Sequence, residues 1–289
     1  MENYIITTDN MVDLPEEYIR EHQLLTMSLS YLMDGNSYDE GHPLPYKEFY
    51  QKMRDGSMPT TSQINPEQAK EKLLQFLEHS KNIIHIAFSS GLSGTCDSVR
   101  IAARDIMEEN PDCRITVVDS LCASLGEGLL VHKALEWKQQ GMGYEELIKW
   151  LEDHKRNVCH NFTVDDLFHL YRGGRVSRTA AVLGTMINLK PVLHVDDDGR
   201  LVAVGKVRGR KKSLSALVDA MEKQIGSWRE QNDIVFISHG DCEEDALLVK
   251  DMVEKRFGIH QFIINPVGPT IGAHSGPGTL ALFYMGDVR

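Results

Sequence analysis

The chain has 289 residues, 42% of them hydrophobic, and its 31 Lys and Arg against 42 Asp and Glu give a formal net charge of −11. This size and composition fit one large or two ordinary folded domains, and the acidic balance argues against non-specific nucleic-acid binding or an anionic membrane surface as the main partner. No apolar run approaches the ~20 residues of a membrane span, and Met1-Glu2-Asn3-Tyr4 lacks a charged-then-apolar leader, so a cytoplasmic protein without an integral membrane segment is expected.

Tyr4 to Thr8 is a β-prone run ending at Asp9, and Asp13-Leu14-Pro15-Glu16 reads as a capping box that opens a helix through about Gln23. Thr26 to Leu32 predicts one strand, Asp34-Gly35 a turn, and Pro45 to Arg54 a helix that stops at Gly56. In Met58-Pro59-Thr60-Thr61-Ser62-Gln63-Ile64-Asn65-Pro66 three hydroxyl residues precede an Asn-Pro helix start. Asn65 caps that helix, whose apolar face is Ala69, Leu73, Leu74 and Leu77, so Thr60, Thr61 and Ser62 are spare for another duty.

Ile83 to Phe88 is a strand, Ser98 to Met107 a helix, and Ser89-Ser90-Gly91-Leu92-Ser93-Gly94-Thr95 is the corner between them. Its two glycines let backbone approach a ligand while its hydroxyls and N–H groups face whatever lies above the helix start, which suits an anion. A nucleotide phosphate loop needs four residues between its glycines and then Lys-Ser or Lys-Thr, and this corner has neither. Ile115 to Val118 repeats the strand signature, with helices at about Ser124 to Gln140 and Glu145 to Arg156. Strands near residues 5, 84 and 116 separated by helices predict parallel pairing with ligands at the carboxyl ends, on a rim carrying Thr8, Ser89 and Ser120.

The pattern changes near residue 158. Asp165 to Tyr171 reads as a short helix running into Arg172-Gly173-Gly174-Arg175-Val176-Ser177, followed by a small helical segment with Ala180, Ala181, Leu183 and Met186. Lys190 to Val195 and Leu201 to Val207 are strands joined by the hairpin turn Asp196-Asp197-Asp198-Gly199, which lacks the alternating ligands and terminal Glu of a calcium loop. Arg208, Arg210, Lys211 and Lys212 crowd five positions before a helix from Leu214 to Trp228. Cations at a helix start oppose its dipole, so this cluster is a candidate for meeting an anionic partner. Asp233 to Ser238, Glu244 to Phe257 and Ile259 to Ile264 predict a strand, helix and strand. Pro266 to Gly278 reads as a flexible Gly/Pro segment framing His274 and Ser275, before a last strand from Thr279 to Tyr284.

The five cysteines, Cys96, Cys113, Cys122, Cys159 and Cys242, are odd in number and form no Cys-x-x-Cys pair, and the 12 histidines show no zinc spacing. Free thiols and no metal site are therefore expected.

Together, Thr7-Thr8-Asp9, Pro59-Thr60-Thr61-Ser62-Gln63, Ser89 to Thr95, Gly173-Gly174-Arg175-Val176-Ser177, Lys190-Pro191-Val192 and Gly272-Ala273-His274-Ser275-Gly276-Pro277-Gly278 resemble, in order and spacing, the DegV family. These are bacterial fatty-acid-binding proteins that present acyl chains to a fatty acid kinase. The resemblance spans the whole chain, and departs from the family where Ile64 and Asn65 stand before Pro66. It implies an α/β protein of two α/β domains. The first is a parallel-sheet lipid-binding domain, residues 1–157 plus 277–289. The second is a smaller mixed-sheet domain, residues 158–276, covering the carboxylate end. It further implies a buried long-chain fatty acid as ligand, with Thr61, Ser93 and His274 on the carboxylate and Arg175 near the mouth. Ser62, Gly94, Thr95 and Ser275 complete the expected site, Arg208 to Lys212 the expected partner surface, and no cofactor or catalytic residue is expected. The competing expectation is a serine acyl-hydrolase with Ser93 as nucleophile and His274 as base, since Gly91-Leu92-Ser93-Gly94-Thr95 differs from the nucleophile elbow by Thr95 in place of its second glycine.

Overall fold

The computed structural model describes residues 3–39, 41–177 and 188–289; the helical segment expected around Ala180 to Met186 lies outside them. In chain order the first half comprises β1 (Ile5–Asp9), α1 (Glu16–Glu21), β2 (Leu25–Met27), β3 (Ser30–Met33), β4 (Asn36–Tyr38), α2 (Tyr46–Arg54), β5 (Thr60–Ser62), α3 (Pro66–Leu77), β6 (Asn82–Ala87), α4 (Thr95–Glu109), β7 (Arg114–Asp119), α5 (Leu125–Gln139) and α6 (Tyr144–His154). The second half comprises β8 (Val158–Thr163), α7 (Leu167–Arg172), β9 (Leu189–Val195), β10 (Leu201–Arg208), α8 (Arg210–Gln224), β11 (Ile234–His239), α9 (Glu243–Phe257), β12 (Gln261–Pro266), α10 (Pro269–Ser275) and β13 (Leu280–Met285).

Three sheets result. The first is parallel throughout, in the order β2-β1-β6-β7. Its central strand β6 buries Ile83, Ile84 and Ile86, as a strand covered on both faces must. The second is a mixed six-stranded sheet, β10-β9-β8-β13-β11-β12, parallel only between β11 and β12. A small antiparallel sheet, β4-β3-β5, carries Thr61 on an edge strand.

Helix α5 is packed between the two larger sheets, against β1 and β6 on one side and β8, β11 and β13 on the other. Its N-terminal half, Leu125 through Val131, is buried all round, the pattern of a core helix. A Cβ on Gly126 would lie 2.1 Å from His160 Nε2, so glycine here is what lets β8 approach the helix.

Several local expectations change. The final strand was expected to join the first domain, but β13 pairs on both sides within the six-stranded sheet, between β8 and β11. Asp13 caps nothing: α1 starts after Pro15 without a side-chain cap, and the Asp13 carboxylate instead accepts from Ser124 Oγ at 2.5 Å and Gly268 N at 2.9 Å. The single strand expected from Thr26 to Leu32 divides into β2 and β3, which enter different sheets; Asn10 takes the Leu29 N–H between them. The Gly/Pro segment holds a helix, α10, with proline at its first turn. Asn65 does cap α3, in a capping box with Gln68, but Leu74 is exposed and Phe76 takes its place among the buried residues.

A cavity between the sheets

A cavity of about 520 Å³ lies between the parallel and mixed sheets, within the size range of small-molecule sites. One face of the mixed sheet forms part of its wall. Ser238 (β11), Ala281 (β13) and Phe162 (β8) are cross-strand neighbours and all line the cavity. In the next row Phe283 and His160 do the same, as alternation along strands requires. From the other side Met11, Leu29, Phe88 and Leu92 close the space. Most of this wall is apolar.

The polar part of the lining gathers three distant pieces of chain. Thr61 Oγ1 and His274 Nε2 are 2.8 Å apart, joining β5 to α10. A Cβ on Gly173 would fall 2.1 Å from His274 Nδ1, so the glycine pair after α7 is what admits the imidazole. Burial, reinforced by the neighbouring guanidinium groups of Arg175 and Arg172, lowers the His274 pKa to about 4, leaving the ring neutral near pH 7. Ser93 Oγ pairs with Thr95 Oγ1 at 3.0 Å and accepts the Thr95 N–H at 3.2 Å. Arg175 donates to Leu92 O from Nε at 3.1 Å and Nη2 at 2.9 Å and to Gly173 O from Nη1. It thereby ties the serine-rich corner to the glycine pair.

Two side chains in this cluster have buried polar atoms without a hydrogen-bond partner among the described residues: Arg172 Nη1 and Ser275 Oγ. Both residues line the cavity. Unmet donors of this kind are costly unless a ligand meets them. Sequence reasoning passed over Arg172; the signal available was a second arginine flanking the same diglycine as Arg175.

Of the expected site residues, Thr61, Ser93, Arg175, His274 and Ser275 line the cavity. Ser62 is exposed, on the opposite side of a strand whose Thr61 turns inward. Gly94 packs against the Gln63 side chain and Thr95 is fully buried beneath Ser93. The rim residues serve structure: Thr8 donates to Glu127, Ser89 donates to Gly199 O, and Ser120 Oγ accepts from Cys122 N. In the cationic cluster Arg210 is engaged by Asp245 at 2.7 Å and by Asp165 at 3.7 Å, whereas Arg208, Lys211 and Lys212 are exposed.

Behind the cavity sits a group of buried carboxyls. Burial outweighs the hydrogen bonds they accept and raises the pKa of Asp9 and of Asp13 to about 7, and that of Glu127 well above the usual carboxylate range. Among the described residues no cluster of His, Cys, Asp and Glu is placed to hold a metal ion, and no helix is long and apolar enough to cross a membrane.

Residues 4–287 match the family model described as uncharacterised protein, DegV family. The chain belongs to the DegV family. A DegV domain-containing protein of Clostridium perfringens is 40% identical over 100% of this chain and 99% of its own length. Among solved structures, a DegV family protein from Thermus thermophilus, described as binding fatty acid, is 30% identical with a TM-score of 0.87, covering 99% of this chain and 100% of that one. A stearic acid-binding protein from Eubacterium ventriosum is 25% identical with a TM-score of 0.88, covering 98% of each chain. The DegV fold of a parallel and a mixed sheet is thus common to chains of quite different sequence.

Proposed function

We propose that this DegV protein binds one long-chain fatty acid and presents its carboxylate to a separate fatty acid kinase, which makes the acyl-phosphate. The observation that carries the reading is a largely apolar cavity whose polar lining clusters around Thr61, Ser93, Arg172 and His274. On this reading the ligand lies between a first domain, residues 1–157, and a second, residues 158–289, in the cytoplasm.

The hydrogen-bond chemistry suits a carboxylate. With the neutral His274 protonated on Nε2, the ring donates to Thr61 and frees the threonine proton for the ligand. The other tautomer would aim a lone pair at an anion. One proton lies between the Ser93 and Thr95 hydroxyls; with Thr95 as its donor, the serine proton is left for the ligand. Arg172 Nη1 and Ser275 Oγ supply further donors. Charge-assisted bonds contribute ~1.5–3 kcal/mol each. A tail of about fourteen methylenes offers roughly 11 kcal/mol of gross burial, and association and ordering oppose it by about 4–15 kcal/mol, so retention depends on the head-group bonds.

A hydrolase is less well supported. His274 faces Thr61, and the hydroxyl partner of Ser93 is Thr95, so the nucleophile–base pair that acyl transfer requires is not assembled. The kinase surface is assigned to Arg208, Lys211 and Lys212, with Arg210 holding the base of the cluster through its carboxylate partners. Native mass spectrometry of the protein purified from bacteria tests the first part, with a retained mass in the fatty acid range expected. A protein that stays empty after incubation with stearate would sink it. Charge reversal at Lys211 and Lys212 tests the second: acyl-phosphate formation with added kinase should fall while bound lipid persists, and undiminished turnover would remove the docking assignment.

A further inference from the structure

Besides the head-group residues, the cavity wall has a second polar pair, Ser124 and Ser238, and a plain acyl chain has no group to bond it. Ser238 is fully buried and stands in a cross-strand row whose other cavity-facing members are Ala281 and Phe162. Opposite it, Ser124 reaches the same cavity from the residue before α5, and the two hydroxyl oxygens are 3.0 Å apart. Ser124 Oγ also lies 2.5 Å from Asp13 Oδ2, while Asp13 Oδ1 accepts the Gly268 N–H.

Counting protons along this chain defines what Ser238 offers. A serine hydroxyl has one proton. With Asp13 ionised, the Ser124 proton belongs to the carboxylate, Ser238 supplies the proton between the two serines, and the oxygen of Ser238 is left as an acceptor. With Asp13 protonated, donation runs from Asp13 to Ser124 to Ser238, and Ser238 has its own proton to give. A ligand hydroxyl matches both arrangements, because it donates and accepts; a carbonyl matches only the second.

We propose that Ser238, oriented by Ser124, is a subsite for a hydroxyl substituent on the acyl chain, so that the protein discriminates hydroxylated from plain fatty acids. This rests on the fatty-acid reading. It differs in kind from the head-group contacts, which every fatty acid satisfies alike.

The test is a competition assay on the full chain using stearate and a set of hydroxystearates that differ only in the position of the hydroxyl. At least one isomer should bind roughly 5-fold more tightly than stearate, the scale of one net hydrogen bond. Ser238→Ala should abolish that ratio for the favoured isomer; because the ratio is taken against stearate on the same protein, any general loss of binding cancels. Isomers that all bind no better than stearate to the native protein would overturn the proposal, and so would a ratio that survives Ser238→Ala. Failure of stearate itself to bind would instead remove the fatty-acid reading and this subsite with it.

Discussion

The two large sheets contribute to the cavity in different ways. The parallel sheet contributes through the turns at the ends of its strands: the corner after β6 carries Ser93, and the turn after β7 carries Ser124. The mixed sheet contributes a face, with Phe162, Ala281 and Phe283 laid across adjacent strands. Loops at strand ends have free N–H groups and hydroxyls to offer, while a sheet face has its backbone already paired and can offer only side chains. The parallel sheet thus lends hydroxyls from its strand-end turns, while the mixed sheet lends mainly apolar surface.

The polar lining can be broken first, at Thr61 on the edge strand β5. Thr61→Val keeps the shape of the side chain but removes a hydroxyl that bonds His274, and should weaken fatty acid retention by roughly 10- to 100-fold, the worth of one charge-assisted bond. Mass spectrometry of the extracted lipid would show it, and an unchanged lipid load would place the carboxylate elsewhere. At the sheet side, Ala281→Leu fills space without touching a polar atom. It should shift the retained lipids toward shorter chains, at ~0.8 kcal/mol or about 4-fold per methylene displaced. An unaltered chain-length profile would mean that the tail does not run along β13.

A separate effect, on stability rather than on the lipid, lies in the carboxyls behind the cavity. Asp9 and Asp13 have folded-state pKa values raised to about 7, so folding favours their protonated forms. That stabilisation is present in full below the unfolded value near 3.8 and is lost as pH rises through about 7. Between pH 6 and 8 each should cost about 1.4 kcal/mol, a few degrees of melting temperature. Asp13→Asn should flatten the slope. A melting temperature that climbs over this interval in the native protein would contradict the assignment.

What the sequence disclosed divides by range. β1, β6 and β7 were legible because a buried parallel strand needs an uninterrupted apolar run, and Ile83 to Phe88 has one. The short strands and the α10 helix were not, since Pro269 to Ser275 has the composition of a turn and gains its helix from packing on Tyr50 and Phe49. Asp13 was misread for a similar reason: its spacing to Glu16 imitates a cap, but its partners are Ser124 and Gly268, 111 and 255 positions away. The final strand announced itself as a strand but not which sheet it would enter. For the site, Thr61, Ser93 and His274 emerged from family resemblance more than from local pattern, and Arg172 and Ser238 from neither. An unpartnered buried atom and a serine in an apolar row become visible only when strands are in register.

The placing of β13 bears on how the mixed sheet is assembled. It fills the gap between β8 and β11, so β10-β9-β8 and β11-β12 become one sheet only when β13 pairs with both. Pairings between strands so far apart in the chain form slowly. The parallel sheet and its hydroxyl-bearing corner take no strand from β13, whereas the apolar face of the cavity includes Ala281 and Phe283 from it. One strand thus joins the two parts of the sheet face that lines the cavity.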